Sequence, residues 1–131
     1  MGPLKSLDAY DVRTFNGLRT EVDANGNIWT GLNATVREVT PTSALFLGYL
    51  FNNTDGARIW VQIFYRPATE VALGTTPPDL TIPVGASGSV AWDFVHARLA
   101  RRGFSLAATT TETGATGATT VTGEILYKQR G

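Results

Sequence analysis

The chain has 131 residues, 43% of them hydrophobic and 17% charged, and its eleven basic side chains balance eleven acidic ones. This length fits one domain with its own hydrophobic core, and the apolar content argues against disorder. Zero formal net charge gives no overall field that would attract nucleic acid or an anionic membrane. The absence of cysteine excludes disulfides, thiolate zinc sites and thiol nucleophiles from this chain.

The residue types favour strands over helices. Threonine and valine are common, and both favour the pleated, half-buried backbone of a sheet. Fourteen glycines supply turn positions, and runs of helix-forming residues are missing. The composition therefore predicts an all-β protein.

The first 23 residues alternate only weakly between apolar and polar side chains. Their apolar members include Leu4, Leu7, Tyr10 and Phe15, and the spacing fits neither a helix nor a strand. We expect an extended N-terminal arm over residues 1–23 that binds another surface, followed by one β-sandwich domain over residues 24–131. An ordinary first strand and loop is the alternative. No apolar stretch typical of a signal peptide is present in this region.

The next strands are marked by turn residues between apolar runs. A strand is predicted over Ile28–Val39. Apolar runs at Ala44–Phe51 and Ala57–Tyr65 flank a loop that contains Asp55-Gly56, which predicts a β-hairpin. Both faces of the second run are largely apolar, so we expect a strand buried on two sides, in a sandwich or against another subunit.

The second half of the chain continues the pattern of short strands and turns. Residues 66–78 are predicted as a loop, and Leu80–Val84 as a strand that Pro83 confines to a sheet edge or end. Further strands are predicted at Ser89–Val95, Phe104–Thr109 and Thr120–Lys128. Seven or eight short antiparallel strands of this kind predict a β-sandwich or jelly roll.

Residues for catalysis are sparse. His96 is the single histidine and lies in a charged segment that we expect to be solvated. The sequence Gly85–Ser89 resembles a nucleophile elbow but lacks its final glycine, and no helix follows it, so it is predicted as a turn. The carboxylates are scattered among turns and strand ends. We expect no enzymatic activity, no metal site and no cofactor.

Three arginines form the densest charge feature, at Arg98, Arg101 and Arg102. On one helical turn they would share a face. Such a cluster suits carboxylate pairing across a protein interface or contact with phosphate, and a solvated loop is the alternative. The chain has far more arginine than lysine, which favours the interface.

The three tryptophans, Trp29, Trp60 and Trp92, all lie in predicted strands. They could form a stacking platform for sugars or bases. Tryptophan in a strand is more often part of a core or a subunit interface, and we expect Trp60 at an interface.

One stretch resembles a known group of proteins. In Ile63–Val84, a strand ends in Tyr65-Arg66-Pro67-Ala68 and leads through Gly74-Thr75 into an edge strand with Ile82-Pro83-Val84. This segment resembles one that recurs in small β-sandwich virion structural proteins of tailed bacteriophages, of the capsid cement or decoration type. The likeness extends over roughly residues 44–128. The charged residues 98–102 depart from the small and apolar residues usual there.

The resemblance implies a capsid cement or decoration protein. Such a protein would bind the major capsid protein on the outer surface of the virion as a homo-oligomer, expected to be a trimer, without contacting nucleic acid or membrane. The alternative is a tail- or head-associated β-sandwich module that binds a receptor or carbohydrate. The residues expected at the interface are Leu4, Leu7, Tyr10, Phe15, Trp60, Arg98, Arg101 and Arg102.

Overall fold

The computed structural model describes residues 12–16, 21–22, 28–29, 32–117 and 121–129, with side-chain surroundings for 32–117 and 121–128. A 3-10 turn lies at Ala68–Glu70. The strands in chain order are β1 (Val12–Asn16), β2 (Glu21–Val22), β3 (Ile28–Trp29), β4 (Arg37–Thr40), β5 (Ala44–Asn53), β6 (Ile59–Phe64), β7 (Leu80–Val84), β8 (Ser89–Ala100), β9 (Phe104–Thr109) and β10 (Val121–Gln129).

The described strands form a sandwich of two four-stranded sheets. The first sheet has the order β1-β10-β5-β8 and the second has the order β4-β9-β6-β7, while β2 and β3 pair separately. Every pair of neighbouring strands is antiparallel. The prediction of an all-β sandwich is confirmed.

The core fills the space between the two sheets with aromatic and branched side chains. Phe46 of the first sheet stacks on Phe104 of the second, with ring centroids 5.1 Å apart. Tyr127 meets the same Phe104 ring edge-on at 5.8 Å. The fully buried aliphatic residues come from both sheets, and each contributes about 1.5–3 kcal/mol relative to an exposed position. They include Ile59, Val61, Ile63, Leu106, Val121 and Ile125.

The predicted hairpin of the two apolar runs is wrong. β5 pairs with β10 and β8, whereas β6 pairs with β7 and β9 in the other sheet. Residues 54–58 therefore cross from one sheet to the other. Both runs are apolar enough for each to contribute a buried face to the core between the sheets. Phe46 and Phe51 of β5 and Ile59 of β6 are all buried within one core cluster, so the two runs share the core instead of a hydrogen-bonded ladder.

The prediction for Pro83 is confirmed. β7 lies at the end of the second sheet, where Pro83 is paired with Trp60 of β6. Proline has no N–H to donate, so an edge strand accommodates it without the loss of a ladder hydrogen bond.

Part of the predicted N-terminal arm belongs to the sandwich. β1 is the outer strand of the first sheet and pairs with β10 from Val12 to Asn16, as in the alternative of an ordinary first strand. At the end of the same segment, β2 pairs with β3, which lies beyond it. Leu4, Leu7 and Tyr10 lie outside the described residues.

The second face of β6 is covered by a loop of this chain. The side-chain amide of Gln62 donates to Thr109 Oγ1 at 2.8 Å and to the carbonyl of Gly114 at 2.9 Å. The loop is closed by a hydrogen bond from the N–H of Thr110 to the carbonyl of Thr116. The expected two-sided burial of β6 is thus achieved within the sandwich at Gln62, without another subunit.

Candidate protein-interaction surface

β8 forms one edge of the first sheet and contains a large bulge. Arg98 pairs with Phe46 and Asp93 pairs with Gly48, so Leu47 alone of β5 lies opposite residues 94–97 of β8. The strand was predicted to end at Val95, yet it continues to Ala100 beyond this bulge. The bulge residues interrupt the alternation of inward and outward side chains along β8. The sequence therefore did not indicate one continuous strand. Bulges of this kind redirect side chains at a sheet edge.

Close packing against β5 positions the residues that precede the bulge. A Cβ atom on Gly48 would lie 2.7 Å from the carbonyl oxygen of Trp92 and 2.9 Å from a carboxylate oxygen of Asp93. Only glycine allows the two strands to approach this closely without a shift of the backbone.

Two exposed apolar side chains lie on β8, Trp92 just before the bulge and Val95 within it. Trp92 has 57% of its surface exposed and Val95 has 90%, and they are the exposed large hydrophobic residues among those described. Exposed large apolar side chains on an edge strand make this segment a candidate interaction site.

Arg98 is anchored on the aromatic core. Its guanidinium lies over the ring of Phe94, 5.1 Å from the centroid. The Phe94 ring in turn meets Phe46 edge-on at 4.9 Å. Arg98 therefore holds a defined position although it is exposed to solvent.

Two tyrosines lie beside this arginine. Burial raises the pKa of both Tyr49 and Tyr65, and the positive charge of Arg98 partly opposes the rise. The Tyr65 hydroxyl is buried without a completed hydrogen bond, although Arg98 lies close enough to lower its pKa. Asp79 accepts a hydrogen bond from the Tyr65 N–H at 2.6 Å and raises the Tyr65 pKa further.

Arg101 and Arg102 lie in the turn that leads from β8 into β9. Arg102 forms an exposed ion pair with Glu70, which lowers the pKa of that carboxyl. The side chain of Arg101 is exposed and makes no hydrogen bond or ion pair within the described residues. Gly103 completes the turn with φ of 78°, and its N–H donates to the carbonyl of Ala100.

The three arginines do not lie on one helical turn, although their spacing in the sequence allowed that arrangement. Arg98 lies within a strand because Leu99 and Ala100 continue the pairing of β8 with Leu45 and Ala44 of β5. The arginines are therefore brought together by a strand end and its turn.

The remaining predicted interface residues lie elsewhere. Trp60 is half-buried in β6 of the second sheet, between Pro83 and Thr109. In the backbone register of β1 and β10, Phe15 is opposite Ile125. The side chain of Phe15 is not among the described side chains. The structure does not gather the predicted set into one site.

Sequence reasoning missed Val95 and did not single out Trp92 from the other tryptophans. The available signal was the break in alternation where apolar Phe94 and Val95 are adjacent. We call Trp92, Val95, Arg98 and Arg101 the edge patch.

The residues considered for catalysis and metal binding form no constellation in the described part of the chain. His96 is exposed on the bulge, and Gly85–Ser89 contains a turn closed by a 3.0 Å hydrogen bond from Gly88 N–H to the Gly85 carbonyl. Among residues 32–117 and the other described segments, no three His, Cys, Asp or Glu side chains are grouped as metal ligands. No helix in this described part of the chain is long and apolar enough to cross a membrane.

Compared with known proteins, the chain matches no family model, no curated protein and no solved structure. A functional argument for it therefore rests on its own residues and geometry.

Proposed function

We propose that this protein is a structural component of a tailed-phage virion, a capsid cement or decoration protein that binds the outer surface of the shell as an oligomer. The observation that carries the proposal is the order of strand pairing. Among the eight strands of the sandwich, the first pairs with the last (β1 with β10), and β4 pairs with β9, β5 with β8 and β6 with β7. This order supports assignment of the sandwich as a jelly roll, an architecture that recurs in viral capsid domains and in lectins.

A fold alone does not determine function, so the surface must also fit. The edge patch offers the residue types that dominate protein interfaces, tryptophan and arginine, on an exposed strand. A shell presents the same binding site many times. Once one subunit of an oligomer is bound, the other subunits face their sites at a high effective concentration. Several weak contacts would therefore together give firm attachment.

The first sheet offers a route to a closed oligomer. It ends in β1 on one side and in β8 on the other. A head-to-tail contact between the β1 edge of one copy and a surface of its neighbour other than the β8 edge would leave the edge patch free for the shell. When such a contact closes after three copies, it gives the proposed trimer.

The test combines a mass measurement with sedimentation. Light scattering at micromolar concentration should give three times the chain mass of 14.0 kDa. The protein should sediment with empty capsids of the phage whose genome carries the gene, and should stay in solution with capsids of an unrelated phage. A stable monomer that does not sediment with the capsids of that phage would contradict the proposal. A gene located outside any phage genome would contradict it too.

A receptor- or carbohydrate-binding module is the second candidate, and the exposure of Trp92 favours it specifically. A flat indole at a sheet edge can stack on a sugar ring, and lectins share the jelly-roll architecture. Saccharide titration followed by tryptophan fluorescence separates the two candidates. A saturable change that is lost in Trp92→Ala would support the carbohydrate module.

A further inference from the structure

We propose that the side of the sandwich beside β8 binds the carboxylate of a small ligand, between the guanidinium of Arg98 and the hydroxyl of Tyr65. This activity goes beyond attachment to a shell and does not depend on it. We call Arg98, Tyr65, Tyr49 and Phe94 the carboxylate site.

The strand register places Arg98 beside the core. In the pairing of β8 with β5, Arg98 is opposite Phe46, and residues opposite each other in a sheet share one face. Phe46 is fully buried between the two sheets. Because β8 is the outermost strand of its sheet, a side chain on this face can still reach solvent, and Arg98 is exposed. The guanidinium therefore lies at the open side of the sandwich.

Side chains from both sheets surround this guanidinium. It lies 5.1 Å from the centre of the Phe94 ring, and the Tyr49 ring meets Phe94 with centroids 6.0 Å apart. Tyr49 belongs to β5 of the first sheet, whereas Tyr65 directly follows β6 of the second. The positive charge of Arg98 acts on the pKa of both tyrosines, so both phenol groups lie near it. The two sheets thus meet at Arg98.

The Tyr65 hydroxyl lacks an acceptor. Its oxygen is buried and has no hydrogen-bond partner among the described residues, which is rare and costly in native proteins. Arg98 cannot supply the acceptor, because a guanidinium only donates. Asp79 does not supply it either, since its carboxylate accepts from the backbone N–H of Tyr65 at 2.6 Å. Burial raises the pKa of the hydroxyl, so it stays protonated at neutral pH and able to donate.

The two donors specify a carboxylate. Arg98 offers planar N–H groups and a positive charge, and Tyr65 offers one O–H. A carboxylate has two acceptor oxygens, so one can accept from Arg98 while the other accepts from Tyr65. The Phe94 ring holds the guanidinium in place beforehand, which reduces the conformational entropy lost on binding.

Trp92 indicates what carries the carboxylate. It is opposite Tyr49 in the strand register, on the same face of the sheet, and 57% of its surface is exposed. The β5 partners of Trp92 and Arg98 have ring centroids 6.3 Å apart, so the two side chains start from neighbouring positions. An exposed indole can stack on a sugar ring. We therefore expect an acidic sugar to bind more tightly than a simple organic acid.

The test titrates the full chain with glucuronate, acetate, glucose and inorganic phosphate, and follows backbone and arginine side-chain signals by NMR. Acetate carries the carboxylate alone, glucose carries the ring alone, and phosphate is an anion of a different shape. We expect glucuronate to bind most tightly and acetate to bind more weakly at the same residues. Glucose and phosphate should bind at least about tenfold more weakly than glucuronate.

Two single substitutions examine the two donors. Arg98→Gln and Tyr65→Phe should each weaken glucuronate binding at least about tenfold, because each removes a hydrogen bond to a charged group. Without ligand, Tyr65→Phe should unfold at the same denaturant concentration as the wild type or a higher one, since the hydroxyl that it removes has no partner. This variant decides the matter if Arg98→Gln does not fold.

Arg102→Gln is the matched control for charge. It removes the same positive charge from an arginine that is already paired with Glu70, so it should retain the wild-type affinity for glucuronate.

Each outcome has a distinct meaning. Folded wild-type protein that binds neither glucuronate nor acetate would overturn this inference and leave attachment to a shell untouched. Phosphate binding as tight as glucuronate binding would also overturn it, because the site would then select charge and not a carboxylate. Unchanged glucuronate binding in Tyr65→Phe would remove the hydroxyl from the site and overturn it as well. Equal affinities for acetate and glucuronate would support the carboxylate site and identify a simple organic acid as its ligand.

Discussion

At the scale of single residues, buried polar side chains hold the connections of this sandwich. Asn53 is 3% exposed at the end of β5. Its amide nitrogen lies 2.8 Å from the carbonyl oxygen of Ala57, 3.2 Å from that of Val84 and 3.0 Å from that of Gly85, and its Oδ1 accepts from the N–H of Asp55 at 2.9 Å. One side chain thus joins the crossing after β5 to the end of β7.

Substitution of Asn53 by alanine should therefore be costly. We expect a loss of about 2–3 kcal/mol in the free energy of unfolding, because buried carbonyl groups lose their donor. Chemical denaturation measures it. The neighbouring Asn52→Ala is the matched control, since that side chain is half-exposed, and it should change stability by less than about 0.5 kcal/mol. Equal effects of the two substitutions would contradict the role assigned to Asn53.

The Arg102–Glu70 pair makes a prediction about pH. The hydrogen bond from Arg102 lowers the pKa of Glu70, so the pair stabilises the fold above the ordinary carboxyl pKa and this contribution is lost as pH falls through the lowered pKa. Both groups are exposed, so the effect on stability is small. In Arg102→Gln the pKa of Glu70 should rise toward its ordinary value in an NMR titration. Arg101→Gln should leave it unchanged, and a shift there would contradict the pairing.

At the scale of elements, the contact between β5 and β8 shapes the candidate surface. The bulge in β8 begins where the backbone of β8 approaches Gly48 most closely. A change at Gly48 therefore acts on the edge patch through the neighbouring strand, without contact to a partner.

Gly48→Ala should disturb this element. The added Cβ would lie 2.7 Å from the Trp92 carbonyl oxygen, so the strands must separate. We expect a loss of about 1–3 kcal/mol and faster hydrogen exchange of the β8 amides. Gly56→Ala is the control, because a Cβ there meets no atom within 4 Å, and it should be nearly neutral. Unchanged exchange in Gly48→Ala would show that β8 does not depend on this approach.

At the scale of the whole molecule, the N-terminal residues are proposed to reach along the major capsid protein or an adjacent subunit. A deletion that tests this must spare β1, because Val12–Asn16 pairs with β10 in the first sheet. Removal of residues 1–18 would take away an edge strand together with the proposed contact, whereas removal of residues 1–11 leaves that strand in place.

Deletion of residues 1–11 should abolish capsid binding while the unfolding transition is retained. The full-length triple substitution of Leu4, Leu7 and Tyr10 by serine should have the same effect, since it removes the apolar groups and keeps the chain length. Sedimentation with capsids and thermal denaturation measure the two properties. Unchanged binding in both variants would show that this segment takes no part in attachment.

The sequence alone determined the all-β class, the position of β7 at a sheet edge or end, and the presence of an arginine cluster at residues 98–102. These are local properties: residue preference for pleated backbone, the missing N–H of Pro83, and residues that are adjacent along the chain. Three of the four residues of the edge patch, Trp92, Arg98 and Arg101, were accordingly noticed among the candidates for binding, though only the arginines were assigned to an interface.

The tertiary structure alone decided that β5 and β6 lie in different sheets, that Gln62 is covered by the loop after β9, and that Val95 projects from a bulge. Each depends on which distant strand becomes a neighbour. An apolar run can satisfy its burial beside a partner or across the core from it, and its own residues do not distinguish the two. That choice is made by the pairing of strands far apart in the chain, so it became visible only when the sandwich was assembled.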